Sequence, residues 1–228
     1  MNKFTLKPAA WIWIASLLPV LFACSDQEKD PSLLSLSTVK VIQSNDFYFA
    51  LDDGKTLYPS NLAEMGGYKA IDGQRAFVQY LLSAEKISGY DYQAEIVRIE
   101  DVETKEILPY SGNVKDKDRI NIINAWKAGG YLNVEYFYYG NGRDEDAKRH
   151  LFTMIIDRAD NETEADDQIL HLRFLHESYG DTYQDKCTGL ISFPLRNLAE
   201  GKKKIEIFCR TIYEGGETYT VTDQPVWK

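Results

Sequence analysis

The side chains here that could do chemistry are three histidines, three cysteines and several short acidic runs, and their spacing limits what each can do. His171 and His176 are the closest histidine pair. On a strand, a separation of five residues points the two rings to opposite faces, so without a bend they do not converge on one zinc ion. His171 falls in phase with Arg173, and His176 with Leu172 and Phe174. Asp144-Glu145-Asp146, and the run from Asp160-Asn161-Glu162 to Asp166-Asp167, carry the oxygen ligands that calcium takes. Neither follows a calcium-loop spacing with its glycine and terminal glutamate, so both read as solvated loops. Asp52 and Asp53 precede Gly54 and read as turn residues rather than as general acids. Ser192 lies in Ile191-Ser192-Phe193-Pro194, a strand ending at proline, and no G-x-S-x-G elbow is present. No glycine-rich loop opens a helix for nucleotide phosphates. The sequence therefore predicts no catalytic set, no metal site and no cofactor.

The thiols are more informative. If Cys187–Phe193 and Lys203–Cys209 form one hairpin, pairing Phe193 with Lys203 puts Cys187 opposite Cys209. The phase agrees, with Cys187 beside Ile191 and Phe193, and Cys209 beside Ile205 and Ile207. Two outcomes stay open, a cross-strand disulfide or two small thiols buried on a core face.

Cys24 has a different chemistry. Lys3 and Lys7 precede an apolar run from Trp11 to Phe22, and no charge occurs between Lys7 and Asp26. That is a secretory signal, shorter than a comfortable membrane span of about 20 residues. Leu21 and Ala23 stand three and one positions before Cys24, which resembles the bacterial lipobox, where the thiol is acylated and the chain is cut in front of it. Residues 1–23 are expected to be a signal peptide, Cys24 the lipidated mature N-terminus, and residues 24–35 an acidic tether. Export also implies an oxidising compartment, the setting in which a Cys187–Cys209 bond would persist. The expected location is the cell envelope, as an outer-membrane lipoprotein facing the periplasm or the surface.

The elements that must position these residues read as strands. Removing residues 1–23 leaves 205 of 228 residues and takes away two lysines and no acidic residue, so the net charge moves from −9 to −11. Such a surface repels nucleic acid, which is excluded as a partner. Fifteen tyrosines and strand-length apolar runs between turns point to an all-β chain. Val39 to Gln43, Phe47 to Leu51, Thr56 to Tyr58, Gln74 to Leu82 and Tyr90 to Ile99 give five strands by Glu103, the number in a small OB-like barrel over residues 36–112. The stretch Gln74–Leu82 suits a strand wet on neither face for part of its length. A composition shift over Pro109–Arg119 marks a boundary, and seven further strands over residues 119–228 predict an antiparallel β-sandwich. Tyr131, Phe137 and Tyr139 share the strand face opposite Leu132 and Val134, where they either stack on a sugar ring or face another layer.

The order of motifs FYFALDDGKTLYPSN, DGQRAFVQYLL, DYQAEIVRIEDVETKEIL, NAWKAGGYLNVEYFYY, LHLRFLHES and TGLISFPLRNL resembles the NigD-like lipoproteins of Bacteroidetes from about Thr38 onward. That resemblance implies an N-terminal OB-like domain, a C-terminal β-sandwich, and a role in bacteriocin immunity or secretion, with no catalytic residues to carry over. The expected function is a non-enzymatic binding or structural module, held to the membrane by its lipid and meeting an envelope protein or a glycan. An envelope hydrolase would instead need two carboxylates converging in a cleft between the domains.

Overall fold

In the computed structural model, the described residues are 32–43, 46–109, 118–141, 150–157, 168–182, 184–213 and 215–223. Cys24 and the acidic runs at 144–146 and 160–167 lie outside them. The described residues form one compact unit of strands, and among them there is one 3-10 turn, at Leu62–Met65.

Five strands build the barrel: β1 (Leu33–Gln43), β2 (Asp46–Leu51), β3 (Thr56–Pro59), β4 (Arg75–Leu82) and β5 (Tyr92–Thr104). Their order is β3-β2-β1-β4-β5, and a parallel pairing of Leu57 with Tyr92 and Pro59 with Ala94 closes the ring. Alternation does the sorting. In β2, Phe47, Phe49 and Leu51 point inward while the residues between them stay half-exposed. With Val39, Leu57, Val78 and Ile96 they fill the barrel. A closed barrel needs curvature, and register breaks at Val41/Gln43 and Gln79/Tyr80 supply it.

The sandwich holds β6 (Ile107–Leu108), β7 (Asn121–Ala128), β8 (Tyr131–Gly140), β9 (Leu151–Ile156), β10 (Ile169–Glu177), β11 (Asp185–Pro194), β12 (Lys204–Arg210) and β13 (Gly216–Thr220). One sheet runs β13-β12-β10-β9-β6 and the other carries β11-β8-β7. Leu132, Val134, Ile191 and Phe193 from one sheet meet Met154, Leu172, Phe174 and Ile207 from the other. The architecture is thus all-β, an OB-type barrel followed by a sandwich.

Two features depart from the reading of the sequence. The sandwich is not purely antiparallel: β10 pairs with β12, and β6 with β9, in parallel. The β10–β12 pairing follows from β11, which crosses to the opposite sheet and pairs along its whole length with β8, so the next strand returns beside β10 in the same direction. The Cys187–Cys209 hairpin is therefore not formed. The two cysteines sit in different sheets as thiols, Cys187 donating to the Gly140 carbonyl at 3.5 Å and Cys209 to the Ile120 carbonyl at 3.4 Å.

The second feature is the reach of β5. Its 13 residues run from the barrel, where Tyr92 to Val102 pair, to Glu103 and Thr104, which pair in parallel with Ile191 and Ser192 of β11. Barrel and sandwich therefore share one eight-stranded sheet. Removing the Phe49 ring from the barrel core should cost about 3–5 kcal/mol in Phe49→Ala. Because the sheet is continuous, urea unfolding followed by far-ultraviolet circular dichroism and by tryptophan fluorescence is expected to give one shared midpoint rather than two.

Candidate functional site

The shared sheet brings together residues that the sequence keeps far apart, and the centre of the meeting place is Arg75. It is the first residue of β4 and is completely buried, with Ala76 beside it also at 0 % exposure. A guanidinium cannot lose its charge, so every donor must find an acceptor inside the protein. Nη1 and Nη2 hold the two oxygens of Asp52 at 2.6 and 2.7 Å, a bidentate fork. Nη1 also donates to Thr38 Oγ1 at 3.2 Å, Nη2 to Asn133 Oδ1 at 3.2 Å, and Nε reaches Ser192 Oγ at 3.5 Å. Ser192 in turn donates to Asn133 Oδ1 at 2.7 Å. The Tyr131 ring lies against the cation, 4.5 Å from Cζ to its centroid. Asp52 and Thr38 come from the barrel, and Tyr131, Asn133 and Ser192 from the sandwich.

Backbone geometry makes room for this contact. Ala128 and Tyr131 pair across a two-residue turn, Gly129-Gly130, whose φ values are +58° and +82°, the left-handed pair that a tight hairpin requires. At Gly129 a Cβ would lie 2.3 Å from Asp52 Oδ1. Glycine there is doubly fixed, by conformation and by the approach of the carboxylate.

Beside this node opens a cleft of about 580 Å³, within the range of small-molecule and side-chain sites. Its apolar walls are Leu34 and Leu36 of β1, Leu51 of β2, Phe77 of β4, and Trp126 and Ala128 of β7. Asp52, Asp53, Lys127 and Asp223 give it a charged border. Leu36, Val102 and Trp126 form a small buried cluster under it that joins barrel to sandwich. At the mouth Leu34 is 56 % exposed.

The residues singled out by sequence disperse. Tyr131 is taken up by Arg75, while Phe137 and Tyr139 stay together on the outer sheet face, ring planes 89° apart, with the Lys186 ammonium 4.3 Å from the Phe137 centroid. His171 faces outward near Glu206 at 3.5 Å, and His176 is buried on the other face of β10. Among the described residues no group of three or more His, Cys, Asp or Glu side chains is placed to hold a metal ion. Asp53 serves its turn, accepting from the Lys55 amide at 3.0 Å. The sequence reads Asp52 as a turn residue too, but its carboxylate is held by Arg75 across the barrel–sandwich junction. The signal was an arginine in a strand wet on neither face, which requires a carboxylate from elsewhere in the chain.

Removing the anion leaves the guanidinium buried and uncompensated. Asp52→Ala is expected to lose about 3–5 kcal/mol in urea denaturation. Arg75→Lys should also be clearly destabilised, because an ammonium cannot reproduce the fork.

Comparison with known proteins places this geometry. Residues 36–102 match the NigD-like N-terminal OB domain and residues 106–222 the NigD-like C-terminal beta sandwich domain. No curated protein sequence matches the chain. Among solved structures, a protein of unknown function from Bacteroides vulgatus is 19 % identical, with a TM-score of 0.68 over 83 % of this chain and 90 % of that one. A NigD-like immunity protein from Bacteroides caccae is 18 % identical, with a TM-score of 0.59 over 82 % and 91 %. A candidate lipoprotein from Bacteroides fragilis is 10 % identical, with a TM-score of 0.63 over 85 % and 98 %. At these identities the likeness is one of fold. With both of its halves matched in order along nearly the whole described length, this chain belongs to the NigD-like family.

Proposed function

We propose that this chain is a lipid-anchored protein of the cell envelope that binds a protein partner at the cleft between barrel and sandwich and carries out no reaction. The cleft itself carries the binding reading. Its walls are aliphatic and aromatic, and each carboxylate on its border already has a cation: Asp52 has Arg75, Asp53 has Lys55 at 3.7 Å, and Asp223 has Lys127 at 3.0 Å. A carboxylate with both oxygens on one guanidinium is poorly placed to move a proton, so a hydrolase would lack its acid and base here. Apolar walls favour a partner's apolar side chain over the hydroxyls of a sugar. The glycan alternative is weaker for a second reason, since Tyr131 is covered and Phe137 and Tyr139 stand perpendicular instead of forming a flat platform.

Anchoring rests on Lys3, Lys7, the apolar run and Cys24, with Leu33 of β1 only nine residues beyond the thiol. The candidate lipoprotein from Bacteroides fragilis, which shares the fold, agrees with it. Among the described residues no helix is long and apolar enough to cross a membrane. The attachment proposed is a lipid on Cys24. Bacteriocin immunity is a specific form of the same reading. It is supported by the name of the Bacteroides caccae relative and would act through binding.

Cells grown with radioactive palmitate are expected to label the wild-type chain and not Cys24→Ala; equal absence of label from both would remove the anchor. For the cleft, the chain from Ser25 onward should enhance the fluorescence of the apolar dye anilinonaphthalene sulfonate. Leu34→Asp, at an exposed position whose change should move stability by no more than about 0.5 kcal/mol, should weaken that binding several-fold. Unchanged dye affinity would take the cleft out of the proposal.

A further inference from the structure

At the end of β8 remote from Arg75 lies a second buried polar chain. His150, just before β9, and His176, near the end of β10, face each other with Nδ1 of His150 2.7 Å from Nε2 of His176. Nε2 of His150 is 2.9 Å from Asp181 Oδ2, and Nδ1 of His176 is 2.9 Å from the Arg119 carbonyl oxygen. The side chains of His150 and Asp181 are 3 % and 4 % exposed, and His176 is 4 % exposed. The site is closely fitted: a Cβ at Gly140 would come within 2.5 Å of His150 Cε1, and the Asn141 amide donates to Asp181 Oδ2 at 2.7 Å.

Counting protons along this chain leads to the inference. Three hydrogen bonds in series need three protons. The carbonyl of Arg119 supplies none and two neutral imidazoles supply one each, so the third proton lies between Asp181 and His150, and the Asn141 backbone amide donating to the same Asp181 oxygen favours the ionised carboxylate over a protonated one. We infer that the folded protein holds one extra proton here, on His150, as a buried imidazolium clamped between Asp181 and a neutral His176. The Arg119 carbonyl accepts only, so His176 carries its own proton on Nδ1 and offers Nε2 as the acceptor. Placing the extra charge on His150 sets it against the carboxylate. Burial, with His150 adding to it, pushes the His176 ring below the ordinary histidine value, even though the bond to Arg119 pulls the other way. Charge on the second ring is thus disfavoured.

Arg119 and Arg210 line the same opening as His176 and Asp181, and their positive charge works against protonating the rings, most of all against a second proton. Tyr138 of β8 lies 4.6 Å ring to ring from His150, and burial followed by the neighbouring Cys187 pushes its hydroxyl up to about 12, so it stays neutral. Burial alone would raise the Asp118 carboxyl. The Ser178 backbone and side-chain hydrogen bonds and then the two histidines outweigh it, holding Asp118 below the usual range as an anion near His176. Phe152 of β9 stacks on His176 at 5.0 Å and adds no charge.

The proton acts as a clasp. Through it the ends of β8 and β10, the start of β9 and the turn at Asp181 are held together, and releasing it leaves a buried carboxylate facing a lone pair. The sign follows from linkage. Above the ordinary histidine value of about 6.5, the unfolded chain has shed its protons while the folded one keeps one. Stability is therefore lost as pH rises, up to about tenfold in the folding constant per unit. Below that value the unfolded chain binds a proton on each ring and the folded pair only one. Stability is then lost as pH falls as well, giving an optimum between the two limbs.

Nitrogen-15 NMR of the histidine rings in the wild-type chain at pH 7 is expected to show one ring protonated on both nitrogens and one neutral Nδ1–H tautomer. Asp181→Asn removes the anion, at the expense of the Asn141 bond, and should leave both rings neutral with the alkaline limb of stability abolished. Two neutral rings in the wild type, or an alkaline slope that survives Asp181→Asn in a folded protein, would overturn the inference. The wild-type spectrum decides alone should the variant fail to fold.

Discussion

A guanidinium sealed from water at the start of β4 constrains more of this molecule than any other group. Arg75 cannot be neutralised, so the chain must bring a carboxylate and several neutral acceptors to it. Those partners come from the turn after β2, from β1, from β8 and from β11. Each lies in a different part of the sequence, and satisfying all of them at once fixes how the barrel meets the sandwich. Such a node adds little net stability over a well-packed apolar one, because desolvating the charges offsets most of their attraction. What it contributes is register, since a slip of β8 by one residue would turn Asn133 away from the cation and Leu132 toward it.

The cleft is a consequence of this arrangement. β5 carries the barrel sheet into the sandwich, and β7 and β8 turn back at Gly129-Gly130, bringing Trp126 and Ala128 alongside Leu36 and Phe77. Two curved surfaces pinned at one point leave a gap beside the pin, and the gap takes the apolar character of the strand faces that flank it. The Lys127–Asp223 pair at 3.0 Å and the bridge from Trp126 to Thr222 hold its far wall. The site is therefore a property of the junction, and neither half would present it alone.

How much of this the sequence discloses depends on the range of the interaction. Alternation in Phe47-Tyr48-Phe49-Ala50-Leu51 and the Asp53-Gly54 turn are local, and both read directly as strand and hairpin. The five-strand count is likewise visible, and so is the family pattern. The closing parallel pair β3–β5 and the passage of β11 to the opposite sheet are set by which apolar faces find each other across more than thirty residues. No local pattern carries that, so by phase alone a hairpin between the Cys187 and Cys209 strands fits the sequence as well as the pairing that forms. His150 shows the same limit. Alone after a charged connection, it has no periodicity to mark it, and its meaning appears only once β9 lies beside β10.

The two polar nodes are joined by one strand. β8 begins with Tyr131 and Asn133 at the arginine and ends with Tyr138 and Gly140 at the histidines, a run of about 30 Å at ordinary strand rise. Its antiparallel partner β11 spans the same two nodes in the opposite direction, with Cys187 beside Tyr138 at the histidine end and Ser192 at the arginine. The chemistry of the nodes differs in one decisive respect. The arginine end is held by a guanidinium, which does not lose its proton in proteins. The histidine end depends on a proton that can leave. A loss of that proton would loosen the connections around Asp181 while the Arg75 end, with the cleft beside it, stayed intact. Local opening of this kind draws on the regions with the fewest independent restraints, and here one of the restraints is a single exchangeable atom.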